Sequence, residues 1–429
     1  MKHALWLLTR SLLALFVGSV CLLRCAGKLP TPIVTGPDTG WTRAPVLFSA
    51  HNPDGSPAGI GQTWTWGDGT SGTQSSHYYK LPGTFQVACM VSPVNGSPFG
   101  LFGQPDPSDF SVPCTLHILE DTLTFPDSLV STIRVGPGYH VWACVVPDGS
   151  RLYIARAEVD SVSVMETQMN TMVATVAVQD SPVCCVASNS GLYVYVLNAG
   201  SGTVSVVRTS DNAVLDTIHA GYHPNSLALL PDDSLLYVGH ADSSLVTVYR
   251  TDNDSCVARV ALQGIPSGIA VRPGGEYVYV TSEGGNCLTV LRATDNTIVS
   301  SATLAGGPAG MTFSPDGETA YVACPASRDL ALLRTSNLST VSRVTYDSMG
   351  ISFPRYAAML PDGPCLYVIS VSRSANKVAV LRRSDNYLLR QYYLDATGIA
   401  GPAVPLPDRS RVYVPTSSGV FVLGLRQSR

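Results

Sequence analysis

Val-Arg-Pro-Gly-Gly-Glu-Tyr-Val-Tyr-Val-Thr, residues Val271 to Thr281, is the stretch of sequence that decides the fold. It combines the end of one strand, a tight turn at Pro273-Gly274-Gly275 and a second strand in which aromatic and β-branched residues alternate. Proline presets φ at its turn position, and glycine accepts the φ values that follow. The stretch therefore predicts two short antiparallel strands joined by a turn.

The same pattern recurs around seven tyrosines, which by subtraction lie 42, 42, 42, 42, 46 and 46 residues apart. They are Tyr153, Tyr195, Tyr237, Tyr279, Tyr321, Tyr367 and Tyr413. Self-similarity with a period in the forties indicates stacked supersecondary units, and units of short strands are typical of β-propellers. The chain is therefore predicted to be all-β, with a seven-bladed propeller as its main domain.

The repeat begins and ends in the middle of a unit. Residues 131–136 match residues 216–221, the last strand of a repeat, whereas residues 419–425 match residues 202–208, a third strand. The strand near the start of the propeller therefore supplies the piece that the last blade lacks. A blade assembled from both ends closes the ring and leaves no long edge exposed.

Three phrases of the repeat resemble the YVTN family of surface-layer propellers: Tyr-Val-Leu-Asn at 195–198, Val-Ser-Val-Val at 204–207 and Asp-Thr-Ile at 216–218. The resemblance extends over about 300 residues, and it implies the same seven-bladed architecture. Where that family usually ends its third strand in aspartate, this chain has arginine, at Arg208, Arg250, Arg292 and Arg334. Asp211 and Asp295 follow two of these arginines by three residues, which predicts salt-linked turns between the third and fourth strands.

Residues 30–113 lack the repeat and carry a different signature. Trp64-Thr65-Trp66-Gly67-Asp68-Gly69 and Gly83-Thr84-Phe85-Gln86-Val87 resemble the PKD domain, which implies an immunoglobulin-like sandwich that serves as a spacer or adhesion unit. The predicted organisation is a signal peptide at 1–27, a sandwich at 28–113, a linker at 114–126 and the propeller at 127–429.

The N-terminus predicts export. Lys2 and Arg10 flank the first segment, and Ser11 to Leu23 is an apolar run of the length of a signal-peptide core, too short to span a bilayer. The predicted location is the periplasm, the outer membrane through an anchor, or the cell surface. Lipid anchoring at Cys21 or Cys25 and simple cleavage near Gly27 both fit the sequence. With a net charge of −4 and no basic run, nothing indicates nucleic-acid binding.

Nine further cysteines follow these two, an odd number that cannot pair completely. Cys144 and Cys185 lie on the inner strands of neighbouring blades, at positions whose side chains point to opposite faces of their strands. The two side chains are therefore expected to face each other across the blades. Both a disulfide and two buried thiols fit this placement.

The extra residues of the two 46-residue spacings are expected on one face of the ring. They fall between Val344 and Pro354, between Ile369 and Asn376, and between Tyr393 and Pro402. Insertions in repeat proteins commonly map to the binding face, although surface loops also tolerate neutral insertions. The candidate ligand-binding residues on this face are Tyr346, Phe353, Arg355, Tyr356, Arg373, Asp395 and Arg156.

A second candidate constellation on that face consists of His223, His240 and Asp242. Two histidines and a carboxylate are suitable ligands for a transition metal, but loop histidines are more often solvated. No cofactor is predicted.

The sequence contains no Gly-x-Ser-x-Gly or His-Glu-x-x-His motif. The inner positions at which a channel enzyme would carry repeated His, Asp or Glu are mostly apolar or small. The leading hypothesis is a non-catalytic, extracytoplasmic binding or adhesion protein for a protein or polysaccharide ligand. The alternative hypothesis is a lactonase-like hydrolase or lyase that acts from the loops of this face.

Overall fold

The computed structural model describes residues 128–135, 140–359, 365–372, 376–394 and 401–424, together with short strands upstream. The chain divides into two compact units, residues 1–123 and 124–429. No helix among the described residues has the length and apolar character needed to cross a membrane.

The described residues of the first unit form ten strands: Ser19–Leu22, Ile33–Gly36, Thr39–Trp41, Pro45–Leu47, Ser49–His51, Gly61–Thr65, Ser71–Gly72, Ser76–Tyr78, Gly83–Ser92 and Ser111–Leu119. Gly83–Ser92 pairs antiparallel with Gly61–Thr65 and with Ser111–Leu119. The immunoglobulin-like sandwich, the boundaries at residues 113 and 126 and the signal peptide stay predictions.

The second unit is a seven-bladed β-propeller with almost no helix, as predicted. Every blade is a four-stranded antiparallel sheet, and its strands are given from the inner to the outer edge. Blade 1 is His140–Val145, Arg151–Arg156, Ser161–Glu166 and Thr171–Ala177. Blade 2 is Pro182–Ala187, Tyr193–Asn198, Thr203–Arg208 and Val214–His219. Blade 3 is Pro224–Leu229, Leu235–His240, Leu245–Arg250 and Cys256–Ala261. Blades 4 and 5 are Gly268–Val271, Tyr277–Ser282, Cys287–Arg292 and Thr297–Thr303; and Met311–Phe313, Thr319–Cys324, Asp329–Arg334 and Thr340–Thr345. Blade 6 is Pro354–Met359, Cys365–Ser370, Lys377–Arg382 and Leu388–Tyr393.

Blade 7 is assembled from both ends of the unit. Its inner three strands are Val404–Pro405, Arg411–Thr416 and Gly419–Gly424, and its outer strand is Ser128–Ile133. The outer strand pairs antiparallel with Gly419–Gly424, from Ser128 opposite Gly424 to Ile133 opposite Val420. This pairing confirms the split closing blade.

The core lies between neighbouring blades. Side chains of the second and third strands are almost fully buried, whereas outer strands such as Val214–His219 are largely exposed. The two middle strands of each blade are covered on both faces by adjacent blades, so the side chains on both faces of these strands are apolar. This explains why the repeat reads as near-continuous Val, Leu and Tyr.

The repeated tyrosine also ties neighbouring blades together at several seams. Tyr153 Oη donates to Asn212 Oδ1 at 2.8 Å, and Tyr237 Oη donates to Asn296 Oδ1 at 2.6 Å. Each acceptor lies in the turn between the third and fourth strands of the following blade, at a residue with φ near +57° that asparagine tolerates. The last blade closes the ring in the same way, because Tyr413 Oη donates to Asn170 Oδ1 at 2.8 Å.

At the seam between blades 2 and 3, Asp254 occupies the position of these asparagines. Burial, together with a hydrogen bond and charge repulsion from Asp216, raises the pKa of Asp254 to about 6. A carboxyl group in place of an amide therefore makes this seam sensitive to pH.

The predicted salt-linked turns are present. Arg208 pairs with Asp211 at 2.6 Å, and Arg292 pairs with Asp295 at 3.0 Å. Both pairs are exposed, so each contributes little to stability.

Cys144 and Cys185 pack in one apolar cluster between blades 1 and 2, facing each other as predicted. Cys185 Sγ lies 3.5 Å from the carbonyl oxygen of Tyr153, the residue paired with Cys144 across the sheet. Both are thiols in this structure. Burial raises the pKa of Cys185 well above the usual thiol value.

Candidate functional site

A recess of about 620 Å³ opens at the centre of the ring. Its lining comes from six of the seven blades, mostly from residues at the beginnings of inner strands and in the loops before them. Both kinds of residue lie on the face that carries the insertion 346–353 and the described ends of the two other enlarged loops, at residues 371–372, 376, 394 and 401–403. We call this face the enlarged-loop face. We call this cavity the mouth recess; Trp142, Asn225, Glu283, Gly310, Arg355 and Tyr356 are among its lining residues.

Two aromatic rings form part of its wall. Trp142 of blade 1 and Tyr356 of blade 6 meet edge to face, with ring centroids 5.7 Å apart and an interplanar angle of 88°. This is a favoured geometry for aromatic pairs. Both side chains are half-buried, and burial raises the pKa of Tyr356 against the opposing effect of Arg355. The pair therefore offers a rigid apolar surface to whatever enters the recess.

An ion pair provides the charge of the recess. Arg355 Nη1 of blade 6 donates to Glu283 Oε2 of blade 4 at 2.5 Å, reaching past blade 5. The two side chains are 37% and 39% exposed, so the pair can be reached from solvent. Burial alone lowers the pKa of Arg355, but Tyr356 and Glu283 outweigh it and raise that pKa. Among the described lining residues, these two are the only Asp, Glu, His, Lys or Arg side chains.

A glycine in blade 5 sets the position of Arg355 and Tyr356. Gly310 N donates to the Arg355 carbonyl oxygen at 2.9 Å, which joins the inner edges of blades 5 and 6. A Cβ atom at Gly310 would lie 2.7 Å from that oxygen and 2.9 Å from Tyr356 Cδ1. Only glycine allows this approach without a shift of the neighbouring strand.

The insertion before blade 6 folds into a single helical turn, Tyr346–Met349, followed by the segment that carries Phe353. Phe353 is 38% exposed, and the guanidinium carbon of Arg328 lies 5.1 Å from its ring centroid. The side chain of Tyr346 and the residues Arg373 and Asp395 lie outside the described part of the chain. The structure thus brings Arg355 and Tyr356 together in the recess, whereas Phe353 contacts Arg328 and is not among the lining residues.

Arg156 lies apart from this group. It is buried in blade 1, where its Nη1 lies 3.4 Å from Ser163 Oγ on the neighbouring strand, and it does not line the mouth recess.

The three candidate metal ligands lie in different environments. His240 is buried, with Nδ1 3.0 Å from the Tyr222 carbonyl oxygen and Nε2 2.9 Å from Thr247 Oγ1. His223 and Asp242 are exposed. No group of three His, Cys, Asp or Glu side chains that could hold a metal ion occurs among the residues the structure describes.

Sequence reasoning missed Trp142 and Glu283. Trp142 is the only tryptophan beyond residue 66 and lies on an inner strand, a signal that could have identified it. Glu283 follows the second strand of blade 4, at a loop position that the repeat does not distinguish.

Comparison with known proteins shows the fold. Hydrazine synthase from Kuenenia stuttgartiensis superposes with a TM-score of 0.60 at 19% sequence identity, over 70% of this chain and 99% of that one. No protein-family profile and no curated protein sequence matches the chain. At this identity the similarity demonstrates a common architecture and nothing about activity.

Proposed function

We propose that this chain is a non-catalytic binding or adhesion protein that acts outside the cytoplasm and presents its enlarged-loop face to a glycan or protein ligand. The observation that supports this most strongly is the mouth recess, which opens on the same face as the inserted loops. It combines an aromatic pair with a reachable ion pair, and aromatic and arginine side chains are the usual anchors of binding sites.

The composition of the recess favours binding over catalysis. Its one carboxylate, Glu283, already pairs with Arg355, and no second acidic or imidazole side chain stands beside it among the described lining residues. Hydrolases and lyases usually need two groups that exchange protons with the substrate. The alternative hydrolase or lyase would therefore draw its acid and base from other loops of the face.

The extracytoplasmic setting rests on the sequence alone. The apolar run from Ser11 to Leu23 has the length of a signal-peptide core, and the PKD resemblance implies a protein that works outside the cytoplasm. A lipid anchor at Cys21 or Cys25 would hold the protein at a membrane surface, whereas cleavage near Gly27 would release it.

Binding of the fluorescently tagged chain to arrays of glycans and of extracellular proteins tests the proposal. We expect saturable binding to one class, weakened by Phe353→Ala with Arg355→Ala and unchanged by Arg292→Ala. Arg292 is a matched control because it forms an ion pair of similar exposure in a turn of blade 4. If no array member binds, or if a bound compound is cleaved or rearranged, the proposal fails.

A further inference from the structure

We infer that the mouth recess binds an uncharged sugar ring, the end or a branch of a neutral glycan. This inference rests on the proposed function and selects one of its two ligand classes. It is carried by the charge balance of the recess, by the chemistry of its ion pair and by the aromatic wall beside that pair.

The charge balance disfavours ionic ligands. Glu283 and Arg355 cancel each other, and no other charged side chain lines the described wall. An anion attracted to Arg355 would meet the Glu283 carboxylate, and a cation attracted to Glu283 would meet the guanidinium. Either ion would also lose part of its hydration without a free partner in the recess.

The ion pair suits hydroxyl groups instead. A hydroxyl both donates and accepts, so neighbouring hydroxyls of a sugar can donate to the Glu283 carboxylate and accept from the remaining N–H groups of Arg355. The salt bridge uses one nitrogen of the guanidinium and one oxygen of the carboxylate, and the guanidinium also interacts with the Tyr356 side chain. The second carboxylate oxygen and the remaining N–H groups of Arg355 stay available. Hydrogen bonds to charged groups are stronger than those between neutral partners.

The aromatic wall suits the face of a sugar ring that carries its C–H groups. The faces of Trp142 and Tyr356 carry negative partial charge, and the axial C–H groups of a pyranose carry positive partial charge. The perpendicular arrangement of the two rings forms a corner beside the ion pair. A volume of about 620 Å³ is within the usual range of small-ligand sites and can hold a ring with its first neighbours.

The test uses the full chain and an array of neutral, acidic and amino-bearing oligosaccharides, followed by titration of the strongest neutral binder. Trp142 is the only tryptophan beyond residue 66. Subtracting the tryptophan fluorescence of Trp142→Phe from that of the wild type therefore isolates the emission of Trp142, which reports on the recess. We expect a neutral glycan to change this difference signal, and Arg355→Ala to weaken its binding at least tenfold. Arg292→Ala should bind like the wild type.

Glu283→Gln distinguishes neutral from anionic ligands, because it keeps the shape of the side chain and removes its charge. A neutral sugar should bind several-fold more weakly to this variant, whereas an anionic ligand should bind more tightly. Tighter binding, or binding of acidic glycans only, would overturn the inference. So would a neutral glycan whose affinity is the same for wild type, Arg355→Ala and Trp142→Phe, with melting temperatures that show all three to be folded.

Failure of the inference differs from failure of the proposed function. If a protein binds the enlarged-loop face and no glycan does, the inference is wrong and the proposed function stands. If neither class binds the chain, both are wrong.

Discussion

Replacement of Gly310 by alanine should distort the mouth recess by displacing Arg355 and Tyr356 on the neighbouring strand. The added Cβ would lie 2.7 Å from the Arg355 carbonyl oxygen, 2.9 Å from Tyr356 Cδ1 and 3.1 Å from Tyr356 Cα. Two of these three atoms belong to the backbone, so the inner strand of blade 6 must move rather than a flexible side chain.

The size of the effect follows from these contacts. Ordinary van der Waals separations begin near 3.4 Å, so the strand must shift by several tenths of an ångström, and overpacking of this kind typically costs about 1–3 kcal/mol of stability. The hydrogen bond from Gly310 N to the Arg355 carbonyl oxygen lengthens at the same time. Because Arg355 and Tyr356 move together, ligand affinity should fall about tenfold, which corresponds to about 1.4 kcal/mol.

Gly284→Ala is the matched control, because Gly284 also lines the recess and no atom lies within 4 Å of a Cβ built on it. Urea denaturation gives the stability of both variants, and titration with the array-selected ligand gives their affinities. Equal affinity for Gly310→Ala and Gly284→Ala would refute the claim that Gly310 positions the ligand-contacting residues.

Three further predictions concern the ring. The folded-state pKa of Asp254, about 6, lies above the ordinary aspartate value of about 4, so its carboxylate destabilises the fold as pH rises through this interval. After allowance for solvent screening, Asp254→Asn should stabilise the protein by about 1 kcal/mol at pH 7 and not at pH 4, and equal melting shifts at both pH values would contradict this. Removal of residues 26–113 should leave a cooperatively melting propeller, whereas removal of 26–137, which includes the outer strand of blade 7, should not; identical melting curves would end the split-blade account. Tyr413→Phe should cost about 1 kcal/mol in urea denaturation through the lost hydrogen bond to Asn170, and an unchanged midpoint would show that the tie is dispensable.

The ring could be predicted because its information is local and repeated. Each Pro-Asp-Gly-type turn and each repeated tyrosine specifies the same pair of strands. The split blade could be predicted because residues 131–136 match a fourth strand of the repeat and residues 419–425 match a third strand. The sequence identifies Tyr153, Tyr237 and Tyr413 as markers of the repeat, but the hydrogen bonds that they form between blades were not predicted. The identical offset of 59 residues between Tyr153 and Asn212 and between Tyr237 and Asn296 was the available signal.

The site could be predicted only in part. The insertion before blade 6 drew attention to Arg355 and Tyr356, because loop length is visible in the repeat register. The structure places both residues on the inner strand that follows this insertion. The partner of Arg355 could not be predicted, since Glu283 lies 72 residues away and the contact depends on how far blade 5 sets blades 4 and 6 apart. Trp142 meets Tyr356 only because the ring closes and brings blade 1 close to blade 6.

The central claim is that ligand binds in the mouth recess on the enlarged-loop face. A crystal structure of the full chain soaked with the array-selected ligand tests it directly. The account predicts electron density for the ligand beside Trp142 and Tyr356, within hydrogen-bond distance of Arg355 or Glu283. Ligand density on the opposite face of the ring or along the outer strands, with none in the recess, would contradict it.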